Sequence, residues 1–257
     1  MLLNPENYEY CRFNQKRNDG NEYGESGPLY MATRQDSFKL LVKQMNAMDA
    51  ANEYLACSLA QLLDVNTPKA WLFSSHKQIK RISFRYSVGI EFLDDFSPAT
   101  TEDMLLSPNE AARCIIFNMM IDQEDGESYA VHKGRIYTYD FASAFTMGIN
   151  FQDGFIKEMK LPSKELSEFL AQRINEFRQY LYDAVSTLIK NDILTDVIEA
   201  EYKDIRDKFL ILAESNGFEP ILEDIGELYP EAIVDYYRMI LNEISNLFQE
   251  RETIIEF

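Results

Sequence analysis

Lys43 closes a strand-type run, Phe38-Lys39-Leu40-Leu41-Val42-Lys43, and Glu53 stands ten residues later, early in a helical pattern. Ahead of them, residues 18 to 27 carry Gly20, Gly24 and Gly27. Behind them, an acidic loop with Asp122, Glu124 and Asp125 leads through a hairpin-type segment to Asp140. That order matches the division of labour in phosphoryl transfer. A flexible glycine turn covers the phosphates, a strand lysine neutralises them, a helix glutamate holds that lysine, and an acidic pair binds magnesium and orients the nucleophile. Taken singly, each residue has a plainer explanation: a hairpin turn, a strand-end lysine in solvent, a solvated helix glutamate, an aspartate capping a turn. Only the sequence of all four points to chemistry.

Asp140 follows Tyr137-Thr138-Tyr139 and precedes Phe141-Ala142-Ser143-Ala144-Phe145. An aspartate in such apolar surroundings is expected to be buried, and a buried charge needs a partner or a metal. The carboxylates within residues 122 to 127 repel one another, which implies full solvation or a bound cation. Val88-Gly89-Ile90-Glu91-Phe92-Leu93 is either an ordinary edge strand or the link between two lobes, with backbone amides near Glu91 lining an adenine.

The elements that must position these groups change character along the chain. Up to about residue 100, strand-like runs (38–43, 70–73, 81–86, 87–93) surround one helical segment, 48–64, with Ala51, Leu55, Leu59, Leu62 and Leu63 at helical spacing. Ser107-Pro108-Asn109-Glu110 then reads as a capping box opening a helix through Met120. Tyr129–Val131 and Arg135–Tyr139, separated by Lys133-Gly134, read as a hairpin. Later helices are clearest at 164–190 and 230–250, and their tyrosines at 180, 182, 202, 236 and 237 are expected mainly in the core. The fold class is α+β and bilobal: residues 1–95 form a small β-rich lobe and residues 96–257 a mostly helical one.

Composition limits the function. The 257 residues hold 25 Lys and Arg against 43 Asp and Glu, a net charge of −18. Phosphate backbones and anionic membranes select basic faces, so neither nucleic acid nor membrane is an expected partner. Three cysteines, Cys11, Cys57 and Cys114, have no C-x-x-C spacing. Cys57 and Cys114 fall in apolar helical patterns and are expected as buried thiols; neither a disulfide framework nor a zinc site is expected. The Lys77–Arg81 cluster reads as a solvated loop, and His132 as hairpin surface. With no apolar stretch near 18 residues, the expectation is a soluble cytoplasmic protein.

Ala50-Ala51-Asn52-Glu53-Tyr54-Leu55-Ala56, Leu59-Ala60 and Val65-Asn66-Thr67-Pro68 resemble the Asn-Glu, Leu-Ala and proline-after-helix pattern of HipA-like kinases. Ile116-Phe117-Asn118-Met119-Met120-Ile121 is similar to the helix before their catalytic loop, and Tyr139-Asp140-Phe141 to their metal-binding aspartate. The resemblance spans roughly residues 20 to 145. It implies an ATP- and magnesium-dependent kinase acting on a hydroxyl acceptor, with a protein Ser or Thr as the implied substrate. Lys43 would contact the phosphates, Glu53 would pair with Lys43, Gly24 and Gly27 would cover the nucleotide, and Asp140 would ligate magnesium. Asp125 matches the catalytic aspartate, with Asp122 as its rival. The loop Asp125-Gly126-Glu127-Ser128 is about two residues short, lacks the family's His, and places Ser128 where a metal-binding Asn is expected. Those departures keep a second reading open, a pseudokinase that binds nucleotide or a partner as a regulatory module.

Overall fold

The computed structural model describes residues 2–13, 29–74, 78–123, 129–145, 179 and 195–252. Strands β1 (Glu9–Arg12), β2 (Leu29–Thr33), β3 (Lys39–Gln44), β4 (Ala70–Leu72) and β7 (Ser87–Glu91) form an antiparallel sheet in the order β1-β2-β3-β7-β4. Side chains alternate across a strand, and in β3 this decides the site. Leu40 and Val42 are fully buried in a cluster with Tyr10, Ala32, Phe73 and Phe84. Lys43 must therefore leave on the opposite face. The 88–93 segment is no edge: β7 pairs with β3 on one side and β4 on the other. Its centre is crowded, since a Cβ at Gly89 would lie 3.1 Å from Phe73 Cζ.

Helix α1 (Ala47–Leu62) covers the Lys43 face of the sheet. Asn46 caps it, its side chain accepting from the Asp49 amide at 2.9 Å. Twelve of its sixteen residues are buried, on every side of the helix, because the sheet packs on one flank and later helices on the other. It ends with Asp64 in the left-handed region (φ 55°) and the Val65 amide donating to Ala60 O at 2.8 Å. This is the Schellman arrangement, with aspartate in the position glycine usually takes. Helix α3 (Pro108–Met120) stops the same way, with Asp122 at φ 55° and Gln123 N donating to Asn118 O at 2.9 Å. The Thr195–Glu214 helix does so again through Asn216 and Gly217.

Three local expectations need correction. Ser107 begins α3 without a side-chain cap, because Glu110 is taken by Arg135 Nε and the Ile136 amide of the hairpin. The complete capping box belongs to Thr100 and Asp103, which open a short helix, α2 (Thr101–Leu106). Residues 81–86 are no single strand: Ile82–Ser83 (β6) pairs with Gln78–Ile79 (β5) around Lys80-Arg81, and Phe84–Tyr86 turns as a 3-10 helix. The hairpin is β9 (Tyr129–His132) with β10 (Arg135–Thr138), and Ser97–Pro98 (β8) adds to β9. His132 is buried at 6% exposure, packed edge-on against Tyr137.

The helical part continues with Thr195–Glu214, Glu219–Gly226 and Glu231–Glu250, whose inward residues join α1 and α3 in the main core. Tyr202, Tyr236 and Tyr237 lie in that core as expected; Tyr180, Tyr182 and all of the 164–190 segment except Gln179 fall outside the described residues. Cys57 and Cys114 are buried and Cys11 is exposed, all three free. Burial pushes the Cys114 thiol up to about 12. No helix among the described residues is long and apolar enough to cross a membrane. The architecture is α+β, an antiparallel β-rich lobe followed by a mostly helical one.

Candidate functional site

Lys43 stands between two carboxylates. Its Nζ donates to Glu53 Oε2 at 3.1 Å and to Asp140 Oδ1 at 2.6 Å. The Glu53 side chain is 2% exposed and that of Lys43 15%, whereas that of Asp140 is 50% exposed. Asp140 was expected to be buried; it lies instead at the mouth of the site, its partner reaching it from inside. Burial disfavours the Lys43 ammonium, but the charges of Asp140 and Glu53 outweigh it and hold the group above the usual lysine range. Burial raises the Glu53 carboxyl to about 7, against the opposing pull of the Lys43 charge and the Phe141 amide.

The Phe141 amide makes Glu53 more than a lysine holder. One buried carboxylate holds the lysine at the end of β3, and its pKa is also lowered by the backbone amide immediately after Asp140. A second set of contacts joins that backbone to the end of α3. Phe145 N donates to Ile121 O at 2.7 Å, Gln123 Nε2 donates to Asp140 O, and Thr138 Oγ1 donates to Asn118 Oδ1 at 2.8 Å. Residues 121–123, the entry to the acidic loop, are thus fastened to the Asp140 segment. Gln123 carried no signal in the sequence, since its bond is to a backbone carbonyl 17 residues away.

The other anticipated residues separate into three groups. Asp122 is 3% exposed and occupies the left-handed stop of α3. Glu91 ends β7, with its amide donating to Lys69 O at 2.7 Å, and Phe92 N donates to Lys39 O at 3.1 Å. Both amides are committed to the sheet and are closed to a purine. Gly20, Gly24, Gly27, Asp125 and Ser128 lie outside the described residues. A separate cavity of about 270 Å³ is lined by charged side chains, Arg113, Arg135, Glu201 and Lys208 among them, none of which belongs to the lysine site.

No protein-family model matches the sequence, and no curated protein does. Among solved structures, the chain is similar to the crystal structure of a Helicobacter pylori proinflammatory kinase, CtkA. The likeness covers 93% of this chain and 97% of that one, with a TM-score of 0.52 and 11% sequence identity. The fold is kinase-like.

Within this kinase-like fold, no group of three or more His, Cys, Asp or Glu suited to a metal occurs among the described residues. Among the described residues, Asp140 presents a half-exposed carboxylate beside the lysine. One such oxygen ligand suits magnesium, which keeps several waters and commonly takes one or two carboxylates plus substrate phosphates.

Proposed function

We propose that this chain is an ATP-dependent phosphotransferase using magnesium, with the nucleotide seated between the sheet and the helices. The observation that carries this reading is the clamp of Lys43 between Glu53 and Asp140, with the entry to the acidic loop bound to the same segment. Lys43 brings a positive charge to the phosphates, and Glu53 keeps its ammonium in place. On this reading Gly24 and Gly27 would cover the nucleotide, while the sheet-bound amides at Glu91 and Phe92 take no part in holding the adenine. Asp140, helped by Ser128, would hold magnesium, which when bound neutralises charge on the transferring phosphate. Asp125 orients the acceptor hydroxyl and takes its proton as the γ-phosphate leaves ADP. The acceptor is a protein Ser or Thr, a choice resting on the family resemblance alone.

A pseudokinase is the second reading, favoured by the loop Asp125-Gly126-Glu127-Ser128 with neither His nor Asn. Calorimetric titration with a non-hydrolysable ATP analogue, with and without magnesium, tests both. Magnesium-enhanced binding that Asp140→Asn removes supports the phosphotransferase. Binding indifferent to magnesium favours the pseudokinase, and no binding at millimolar nucleotide overturns the nucleotide site altogether.

A further inference from the structure

Asn52 precedes Glu53 on α1 and is fully buried. Its Nδ2 donates to Ala142 O at 3.0 Å, and its Oδ1 accepts from the Tyr237 hydroxyl at 2.7 Å. The orientation of this amide is fixed by chemistry. A carbonyl oxygen only accepts, so the nitrogen must face Ala142, which leaves the oxygen to face the hydroxyl. The neighbouring Tyr236 hydroxyl donates to Phe145 O at 2.5 Å. Two successive tyrosines of the Glu231–Glu250 helix therefore reach both ends of the 142–145 turn, one directly and one through Asn52.

That turn needs holding. Asp140 and Phe145, on either side of it, have left-handed backbones (φ 65° and 62°), a conformation aspartate tolerates and one that is costly for phenylalanine. Its backbone bonds include Ala144 N to Phe141 O at 3.0 Å and Phe145 N to Ile121 O at 2.7 Å. Strained backbone persists where its surroundings over-determine it. Here the surroundings are α1 and a helix some ninety residues further along the chain.

We infer that Tyr237 and Asn52 are positioning residues for the phosphate-and-metal site: the chain Tyr237–Asn52–Ala142 fixes the turn that carries Asp140 and so sets the reach of its carboxylate to Lys43. Its functional half rests on the nucleotide reading above; its geometric half does not. Tyr237→Phe removes one hydroxyl and keeps the ring. Acetylation of Lys43 by N-hydroxysuccinimidyl acetate, followed by mass spectrometry against exposed Lys69, reports how firmly the ammonium is held. The variant should raise the relative Lys43 rate roughly fivefold, the factor carried by about one net hydrogen bond. An unchanged rate overturns the inference. Should Tyr237→Phe fail to fold, Asn52→Ser, which cuts the same relay at its centre, is held to the same two outcomes.

In the folded variant, the gain in affinity for the ATP analogue on adding magnesium should shrink by a similar factor, beyond any change in affinity seen without magnesium. Equal losses with and without magnesium, or an intact gain, would assign these residues a structural role only. If the parent itself binds no nucleotide, the proposed function fails, and the Lys43 rate still decides the geometric inference.

Discussion

Lys43 and Asp140, 97 residues apart in the chain, meet at 2.6 Å, with the lysine inside and the aspartate half in solvent. The buried end of this contact is completed by Glu53, so one ammonium is shared by an enclosed carboxylate and an open one. The energetic consequences differ for the two.

Removing the lysine strands the enclosed carboxylate. Lys43→Met should lower stability by about 3 kcal/mol, the usual scale for leaving a buried charge uncompensated. Glu53→Gln added to that variant should recover most of the loss. Urea denaturation of the parent, both singles and the double completes the cycle; additive effects would show that the two groups are uncoupled.

The pH dependence of the same group has a definite sign. The Glu53 carboxyl is raised to about 7 from its ordinary 4.5. Between these values the folded state holds the proton more tightly than the unfolded chain, so this group's contribution to stability falls as pH rises through that window. Above pH 7 the contribution levels off. Glu53→Gln cannot titrate, and melting temperatures from pH 5 to 8 should fall less steeply for it than for the parent.

The two candidate catalytic aspartates make opposite demands. Asp122 ends α3 in a left-handed conformation that asparagine adopts equally well. Asp122→Asn should therefore leave folding and nucleotide binding within about twofold of the parent, since it retains the backbone preference. Asp125→Asn should abolish phosphate transfer while leaving nucleotide affinity intact. Transfer assays with radiolabelled ATP would expose a reversal of these roles.

Arg113 offers a test of the scaffold. It donates to Leu63 O and Asp64 O at the end of α1 and pairs with Glu201 and Asp204 on the Thr195–Glu214 helix. Arg113→Ala should cost about 2–3 kcal/mol, as charge-assisted bonds to partly buried partners do. Denaturant midpoints measure it, and a shift within error of zero would mean water replaces the guanidinium at no loss.

Local signals carried the first half of the site. The strand-type run ending at Lys43 and the helical spacing after it were legible because both depend on near neighbours, whereas the pairing of Lys43 with Glu53 came from the order of the residues and the family resemblance. The exposure of Asp140 was not legible, since a run of aromatic residues marks burial of the run and not of the residue that leaves it. Asn52 stood in plain view beside Glu53, yet its partner Tyr237 lies 185 residues away. The failed cap at Ser107 has the same origin, for Glu110 is drawn off by a hairpin 25 residues later. Helix α2 hid for another reason. With Leu105 and Leu106 exposed it buries no apolar stripe, and only Thr100 and Asp103 announced it.

A helix enclosed on every side cannot serve as a lever. Swinging α1 outward would wet its twelve buried residues and tear Tyr54 from Asp224, a 2.5 Å bond to the Glu219–Gly226 helix. At roughly 25 cal/mol per Å² of apolar surface, exposing those side chains to water is strongly disfavoured. The lysine–glutamate pair therefore moves only with the core that α1 belongs to. Amide exchange along α1 should accordingly follow global unfolding in every ligand state, with no faster opening of its own.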